Sequence, residues 1–323
     1  MTSYYEPIVY DVLPQDEGML LKTVLQKRLG VSRKLMSRLK LTECGIHLNG
    51  KRVYISEKVK GGDRIELRME KETSDDILPE FIPFDILFED EHLLIVNKPA
   101  GLIVHPTHGH YTGTLANGVV HYWHEKGEQV RFRPVHRLDQ DTSGVLCVAK
   151  NPYVHQHISE QMIQGTVDKY YIAMVHGHPS PSEGVIEGPI DRDPLEPHRR
   201  IVTPDGYPAR TLYNMLERYV RGSMVQIKLE SGRTHQIRVH MSSIGCPLIG
   251  DTFYGVDRLI TAEFDLNQAI EVNDWMSRQA LHASKLSFTH PITGERVTYI
   301  APLPKDLAQL KQQLESEKEK EVE

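Results

Sequence analysis

The stretch Pro134-Val135-His136-Arg137-Leu138-Asp139-Gln140-Asp141-Thr142-Ser143-Gly144 runs directly into Val145-Leu146-Cys147-Val148-Ala149. The second segment is a short apolar run behind turn-forming residues, which predicts a buried strand. The first packs two carboxylates, an arginine, a histidine and two hydroxyls into one loop at that strand's mouth. Rigid strands that present polar loops are common places for catalysis. Asp, Thr and Ser before a strand also cap their own backbone. The residue types leave both readings open.

Upstream, Phe84-Asp85-Ile86-Leu87-Phe88-Glu89 alternates, and Leu93-Leu94-Ile95-Val96 follows. Asn97-Lys98-Pro99-Ala100-Gly101 then separates the latter from Leu102-Ile103-Val104-His105-Pro106. Two short apolar runs around a Pro-Gly turn predict a hairpin. Gly113-Thr114-Leu115-Ala116-Asn117 opens a short helix running to about Trp123. His105, His108, His110, His121 and His124 cluster here, but their loop flanks lack the tight spacing and acidic support of a metal site. No metal is expected. Downstream, Thr234 reads as the N-cap of a helix carrying His235, Ile237, Arg238 and His240, with Gly245 past its end. Ile237, Val239 and Ile244 read as core. Arg199 and Arg200 fall in a loop over residues 194–203, either gripping RNA or merely solvated. From Pro304, Leu307, Leu310 and Leu314 predict an amphipathic helix, which ends in a frayed, mixed-charge run over residues 315–321.

The N-terminal part has a different character. Leu21, Val24, Leu25 and Leu29 recur at helical spacing, with Gly30 as the helix end. Ser32 is placed to cap a second helix, whose Arg33, Lys34, Arg38 and Lys40 lie largely apart from Leu35, Met36 and Leu39. A strand, an Asn49-Gly50 turn and a second strand with Lys51 and Arg52 follow. Residues 59–67 supply another turn and strand. Between Gly18 and Arg68, thirteen Lys/Arg stand against four Asp/Glu. Between Glu70 and Glu91, nine acids stand against one lysine. The net charge of −6 therefore hides a basic patch, and phosphate affinity follows the local field. The acidic stretch, with Pro79 and Pro83, reads as a linker.

Cys44, Cys147 and Cys246 form no framework and no zinc knuckle, and read as reduced thiols. The start, Met1-Thr2-Ser3-Tyr4-Tyr5-Glu6-Pro7, lacks the basic and apolar segments of a secretory signal. No apolar run approaches the roughly 20 residues that span a bilayer. A soluble, cytoplasmic, monomeric protein with no membrane partner is expected.

Two resemblances organise these observations. Ser32-Arg33 to Arg38, Ile46-His47-Leu48-Asn49-Gly50-Lys51 and Gly62-Asp63 resemble the alpha-L RNA-binding domain. His136-Arg137-Leu138-Asp139, with Thr142-Ser143-Gly144, resembles the core pattern of the RluA/RluD-type pseudouridine synthases. The same family pattern continues in order. It takes in Asn97 to Gly101 with His105-Pro106, Lys169-Tyr170-Tyr171-Ile172-Ala173, and Gly206-Tyr207-Pro208-Ala209-Arg210-Thr211. It goes on through Gly232-Arg233-Thr234-His235-Gln236-Ile237-Arg238-Val239-His240, Gly250-Asp251 and Tyr254-Gly255. Arg278-Gln279-Ala280-Leu281-His282-Ala283 and Phe288-Thr289-His290-Pro291 close it. The resemblance spans about residues 84–302, with Tyr207 in place of a common lysine.

What it implies is specific. The fold would be α+β: a mixed, mainly antiparallel bent sheet with flanking helices and a central cleft, plus a small α+β N-terminal RNA-binding domain. The divisions would be 15–72 for that domain, 73–83 for the linker, 84–303 for the catalytic domain and 304–323 for the tail. The reaction would isomerise uridine to pseudouridine in structured RNA, most readily large-subunit ribosomal RNA, with transfer RNA as the other candidate. Asp139 would be the catalytic carboxylate, Arg238 its guanidinium partner, and Tyr171 a ring stacked on the base that helps remove the carbon 5 proton. Arg137 and His136 would assist base flipping. Arg33, Lys34, Arg38, Lys51 and Arg52 would hold RNA. Asp141 would only cap its turn. No cofactor is required, since nothing is oxidised and no group leaves the substrate. Two other readings are a non-catalytic RNA-binding or ribosome-assembly factor on the same fold, and a carboxylate-dependent glycosidic hydrolase.

Overall fold

The structure is a computed structural model, and it describes residues 4–256 and 266–320. The N-terminal module holds β1 (Ile8–Asp11), α1 (Leu21–Lys27), α2 (Arg33–Leu41), β2 (Ile46–Leu48), β3 (Lys51–Arg52) and β4 (Arg64–Leu67). Its antiparallel sheet runs β1-β4-β2-β3. The Asn49-Gly50 turn joins β2 to β3 as expected, and Ser32 Oγ accepts from Leu35 N to start α2. The sheet begins upstream of residue 15, because β1 pairs with β4 along its whole length. An isolated four-residue strand carries too little pattern to be seen without its partner.

The larger C-terminal part continues with β5 (Asp85–Glu89), β6 (Leu93–Lys98), α3 (Leu115–Glu125), β7 (Ser143–Ala149), α4 (Pro152–Ile163) and β8 (Asp168–Val175). Next come β9 (Glu183–Glu187), β10 (Ile190–Arg192), β11 (Arg200–Val202), β12 (Arg210–Tyr219), β13 (Gly222–Leu229), α5 (Gln236–Ser243) and α6 (Leu266–Asn273). β14 (Leu281–Thr289), β15 (Arg296–Ile300) and α7 (Lys305–Lys320) complete it. One large sheet runs β5-β6-β7-β14-β8-β13-β12-β9, with β15 also on β14. Every pairing in it is antiparallel except β7 with β14. That parallel contact involves only His282 and Ala283 of β14, after which β15 takes over the same edge from Lys285. Gly144 permits it: a Cβ there would lie 2.2 Å from Ala283 O, and its φ is +117°. Only glycine accepts both.

The central strands are buried on both faces. Leu93 and Ile95 of β6 join one core, Leu94 and Val96 the other, and Val145/Cys147 and Leu146/Val148 of β7 divide likewise. The first core also contains α4 and the apolar residues of the N-terminal module. The second contains α3, Leu138, Tyr171 and Ile237.

Four expectations are corrected. β6 turns back onto β5 through residues 90–92, where Asp90 Oδ1 accepts from His92 N and Leu93 N. Residues 102–106 form no strand, since Ile103 O and Val104 O are taken by Leu115 N and Ala116 N at the start of α3. The acidic segment is a strap rather than a free linker. Ser74 Oγ accepts from Phe132 N, Leu78 O from Asn117 Nδ2, the Glu80 carboxylate from Gly113 N, and Ile77 is buried. Residues 315–320 stay within α7, where Glu315 pairs with Lys311 and Glu317 with Arg221. Leu307, Leu310 and Leu314 are fully buried, as their spacing implies. No helix among the described residues is long and apolar enough to cross a membrane.

Candidate active site

The loop before β7 is held by its carbonyls. Lys98, at the end of β6, has no exposed surface, and its Nζ donates to Pro99 O at 2.9 Å, Leu102 O at 2.7 Å and Gln140 O at 2.8 Å. Three acceptors match the three protons of an ammonium. Arg278, also buried, donates from Nη1 to Asp141 O at 2.8 Å and pairs through Nε with Asp306 of α7. Asp139 directly precedes the two clamped positions, Gln140 and Asp141. Its own carbonyl accepts from Thr142 N, closing the turn. Asp141 makes no side-chain cap among the described residues; its charge acts instead on Lys98. The expected capping role therefore gives way to a long-range electrostatic one.

Burial pulls the Lys98 pKa down to about 7, with Asp141 pulling it up, Arg278 down and Asp139 up. An unfolded lysine titrates near 10.5. Between about 7 and 10.5 the unfolded chain thus holds the extra proton, and raising pH in that window favours folding. Urea midpoints should rise from pH 7 to pH 9 in wild type relative to Lys98→Met. The variant should itself lose about 3 kcal/mol or more at pH 7, because three buried carbonyls lose their donor. A Lys98→Met midpoint equal to wild type at both pH values would contradict this.

Arg238 approaches from α5. Its Nε and Nη2 grip Asp251 at 2.6 and 2.8 Å, and Nη1 stands 3.6 Å from Asp139 Oδ2. The Asp139 contact is an ion pair at longer range than a hydrogen bond. Asp251 is fully buried, and its Oδ1 also accepts from Phe253 N and Tyr254 N. Burial pulls the Arg238 pKa down, but the Asp251 bonds and charge outweigh it and hold the group above its ordinary value. The Phe253 and Tyr254 rings flank the guanidinium at 5.5 and 5.1 Å. The side chain is thus fixed on one side and presents one nitrogen to Asp139, whose carboxylate keeps 28% of its surface. Tyr171, buried on β8, has its pKa pushed up by burial and then by the Asp139 charge.

α5 is not capped by Thr234. His235 takes the N-cap place with φ +57°, and Gln236 Oε1 ties the preceding turn by accepting from Arg233 N. A non-glycine residue in this conformation is uncommon. His235 Nδ1 bonds Tyr254 OH at 2.9 Å, and Tyr254 OH accepts from Arg200 N at 2.8 Å. Arg200 opens β11 rather than lying in a loop, and Arg199 faces Asp193, Glu196 and the Tyr254 ring.

The other expected site residues divide. Arg137 is exposed beside Asp139. His136 Nε2 accepts from Cys147 N of β7, and burial pushes its pKa down to about 3, so the ring is a neutral strut on the sheet. Its Nδ1 is buried and has no hydrogen-bond partner among the described residues. Arg33, Lys34, Lys51 and Arg52 are exposed on the module, far along the chain from Asp139. Arg38 is shared with Glu72, which also holds Arg133. Among the described residues no group of three or more His, Cys, Asp or Glu side chains is placed to hold a metal.

The chain has known relatives. The sequence profile of the RNA pseudouridylate synthase family matches residues 92–243, from β6 to the end of α5. The chain is 44% identical to YlyB of Bacillus subtilis (strain 168), named an uncharacterized RNA pseudouridine synthase, over 81% of this chain and 83% of that one. It is 42% identical to ribosomal large subunit pseudouridine synthase D of Nitrosomonas europaea, over 79% and 73% of the two chains. This chain is an RNA pseudouridine synthase of the RluA/RluD type. The synthase fold is also that of human RNA pseudouridylate synthase domain containing 1, with a TM-score of 0.54 and 26% identity over 72% of this chain and 95% of that one. Human RNA pseudouridylate synthase domain containing 4 shares the fold too, with a TM-score of 0.58 at 24% identity over 72% and 93%. The synthase profile begins after the N-terminal module, which it leaves unassigned.

Sequence reasoning gave no role to Lys98, Asp251, Arg278 or the His235–Tyr254 pair. Each stands inside a stretch of the synthase pattern, and that was the available signal. Their partners lie 42, 13, 137 and 19 residues away.

Proposed function

We propose that this synthase modifies specific uridines of large-subunit ribosomal RNA, with Asp139 as the carboxylate that acts on the ribose. The observation that carries this is the pairing of a partly exposed Asp139 with an Arg238 locked from behind by Asp251. A guanidinium at this distance complements and orients the carboxylate without consuming its lone pairs. Asp139 then attacks C1′, or balances positive charge there, as the C1′–N1 bond breaks and uracil carries off the electron pair. The base turns, C5 bonds to C1′, the carboxylate is released, and the C5 proton ends on nitrogen. Atoms balance with no cofactor.

Tyr171 fits a neutral role. Burial and the Asp139 charge both disfavour its phenolate, so ring contact with the base suits it better than proton abstraction. Arg137, exposed two residues before Asp139, suits the space a flipped uridine leaves. The basic residues of the module, Arg33, Lys34, Lys51 and Arg52, would hold flanking RNA. Support for the ribosomal target comes from the relatives named for the large ribosomal subunit. On this reading the enzyme acts in the cytoplasm as a monomer. To test it, large-subunit ribosomal RNA and transfer RNA transcripts are incubated with the protein and their pseudouridines mapped. Discrete new sites in the ribosomal transcript are expected; modification of transfer RNA only would refute the target.

A further inference from the structure

The synthase profile does not cover the N-terminal module, and a charged segment separates the two parts in sequence. Nonetheless the module shares a core with the rest of the chain, and one polar contact fixes its α1–α2 turn on α4. Tyr153, Gln156 and His157 share a face of α4 at helical spacing. Tyr153 OH and His157 Nε2 both reach Leu29 O, at 2.9 and 3.0 Å. Gln156 Nε2 donates to Gly30 O at 2.6 Å, and Gln156 Oε1 accepts from Ser32 N at 3.1 Å. These are backbone groups between α1 and α2 that helix termini leave unpaired. The catalytic part supplies their partners.

Gly30 shows how close the contact is. Its φ is +60°, and a Cβ would lie 2.7 Å from His157 Cε1. α1 ends at Lys27 with Arg28 as its C-cap, so Gly30 stands beyond the helix end. The approach of His157, together with the left-handed backbone, demands glycine there. Leu29, Val31 and Leu35 lie in one core with Tyr153, Val154 and Ile158, and Glu72 ties Arg38 of α2 to Arg133. Ser32 belongs to this contact and also caps α2, so the contact sets the direction of the basic helix.

The module packs on the core formed by Leu93, Ile95, Val145 and Cys147. Leu138 and Tyr171 belong to the core on the other face, with Leu94, Val96, Leu146 and Val148. An RNA that touches both the basic helix and Asp139 must therefore reach around the sheet. A small hairpin in the cleft does not.

We infer that the α1–α2 turn docked on α4 makes the module a fixed arm, so that Gly30 and Gln156 set which RNAs the enzyme prefers. This rests on the reading that the module's basic residues contact RNA. A rigid connection raises the effective concentration of the second contact only for RNAs whose two sites match its span. Large folded RNA gains, and short RNA gains nothing.

The test compares kcat/KM on a full-length large-subunit ribosomal RNA transcript with that on a short stem–loop cut around a uridine the enzyme modifies. Gly30→Val and, as a milder change, Gln156→Ala/His157→Ala are measured beside wild type, with small-angle scattering to follow the module. Release of the module should lower kcat/KM on the long RNA by about tenfold or more and leave the stem–loop value unchanged. An unchanged long-to-short ratio in the double variant overturns the proposal, as does an equal fall on both RNAs. A separate Arg33→Ala/Lys34→Ala/Lys51→Ala variant keeps the docking intact. Loss on the long RNA here, with the ratio unchanged in the docking variants, refutes the arm but not RNA contact. No loss here refutes RNA contact and the arm with it.

Discussion

Asp139→Asn should lower pseudouridine formation by roughly 10⁴-fold or more while unfolding at nearly the wild-type denaturant concentration. Removing one carboxylate that acts on the reacting carbon costs catalysis on this scale. Stability should barely move, by under about 1 kcal/mol, for a reason visible at the site. The Asp139 carboxylate is partly exposed, and its only ion pair among the described residues is the 3.6 Å contact with Arg238. When it goes, Arg238 keeps both bonds to Asp251, so no buried charge is stranded. The turn survives, because Lys98 and Arg278 hold the flanking carbonyls of Gln140 and Asp141. RNA affinity measured by gel shift should stay near wild type. Turnover within tenfold of wild type would remove Asp139 from the catalytic role.

Arg238→Ala should fail on both counts. Asp251 is fully buried, and among the described residues two of its four bonds come from Arg238. Truncation leaves that carboxylate charged and half-satisfied, at a cost of about 3–5 kcal/mol. Activity should fall by about 10²–10³-fold, the scale for losing one preorganised charged donor. Arg238→Lys keeps the charge but loses the fork, and should recover less than half of the stability. The contrast with Asp139→Asn is the diagnostic: chemistry lost alone there, chemistry and stability lost together here. Thermal or urea unfolding of Arg238→Ala at the wild-type midpoint would show that Asp251 does not depend on it.

The two variants differ because Asp139 and Asp251 are both acids beside one arginine but occupy opposite positions. Asp251 is a support and Asp139 is the group presented. Nothing in the residue types distinguishes them. Likewise, Lys98 reads in sequence as part of a Pro-Gly turn. Only its burial among three carbonyls, one of them next to Asp139, reveals a clamp.

Part of the local chemistry was legible. The Ser32 cap, the Asn49-Gly50 turn, the buried run after Ser143 and the Leu307/Leu310/Leu314 stripe are written within a few residues, where propensity and periodicity act. The ordered family pattern pointed to the reaction and to Asp139, Tyr171 and Arg238. Tertiary structure decided the rest. It paired β6 with β5 because the carbonyls after residue 102 were needed by α3. It gave Asp141 a charge acting on Lys98 in place of a cap, and bonded His136 Nε2 to the Cys147 amide of β7. It also seated Gly30 against His157, 127 positions along the chain. Unpaired backbone groups and buried charges must find partners somewhere, but a sequence states only that need. Which distant residue meets it depends on how the chain closes on itself, and that is decided by the folded whole.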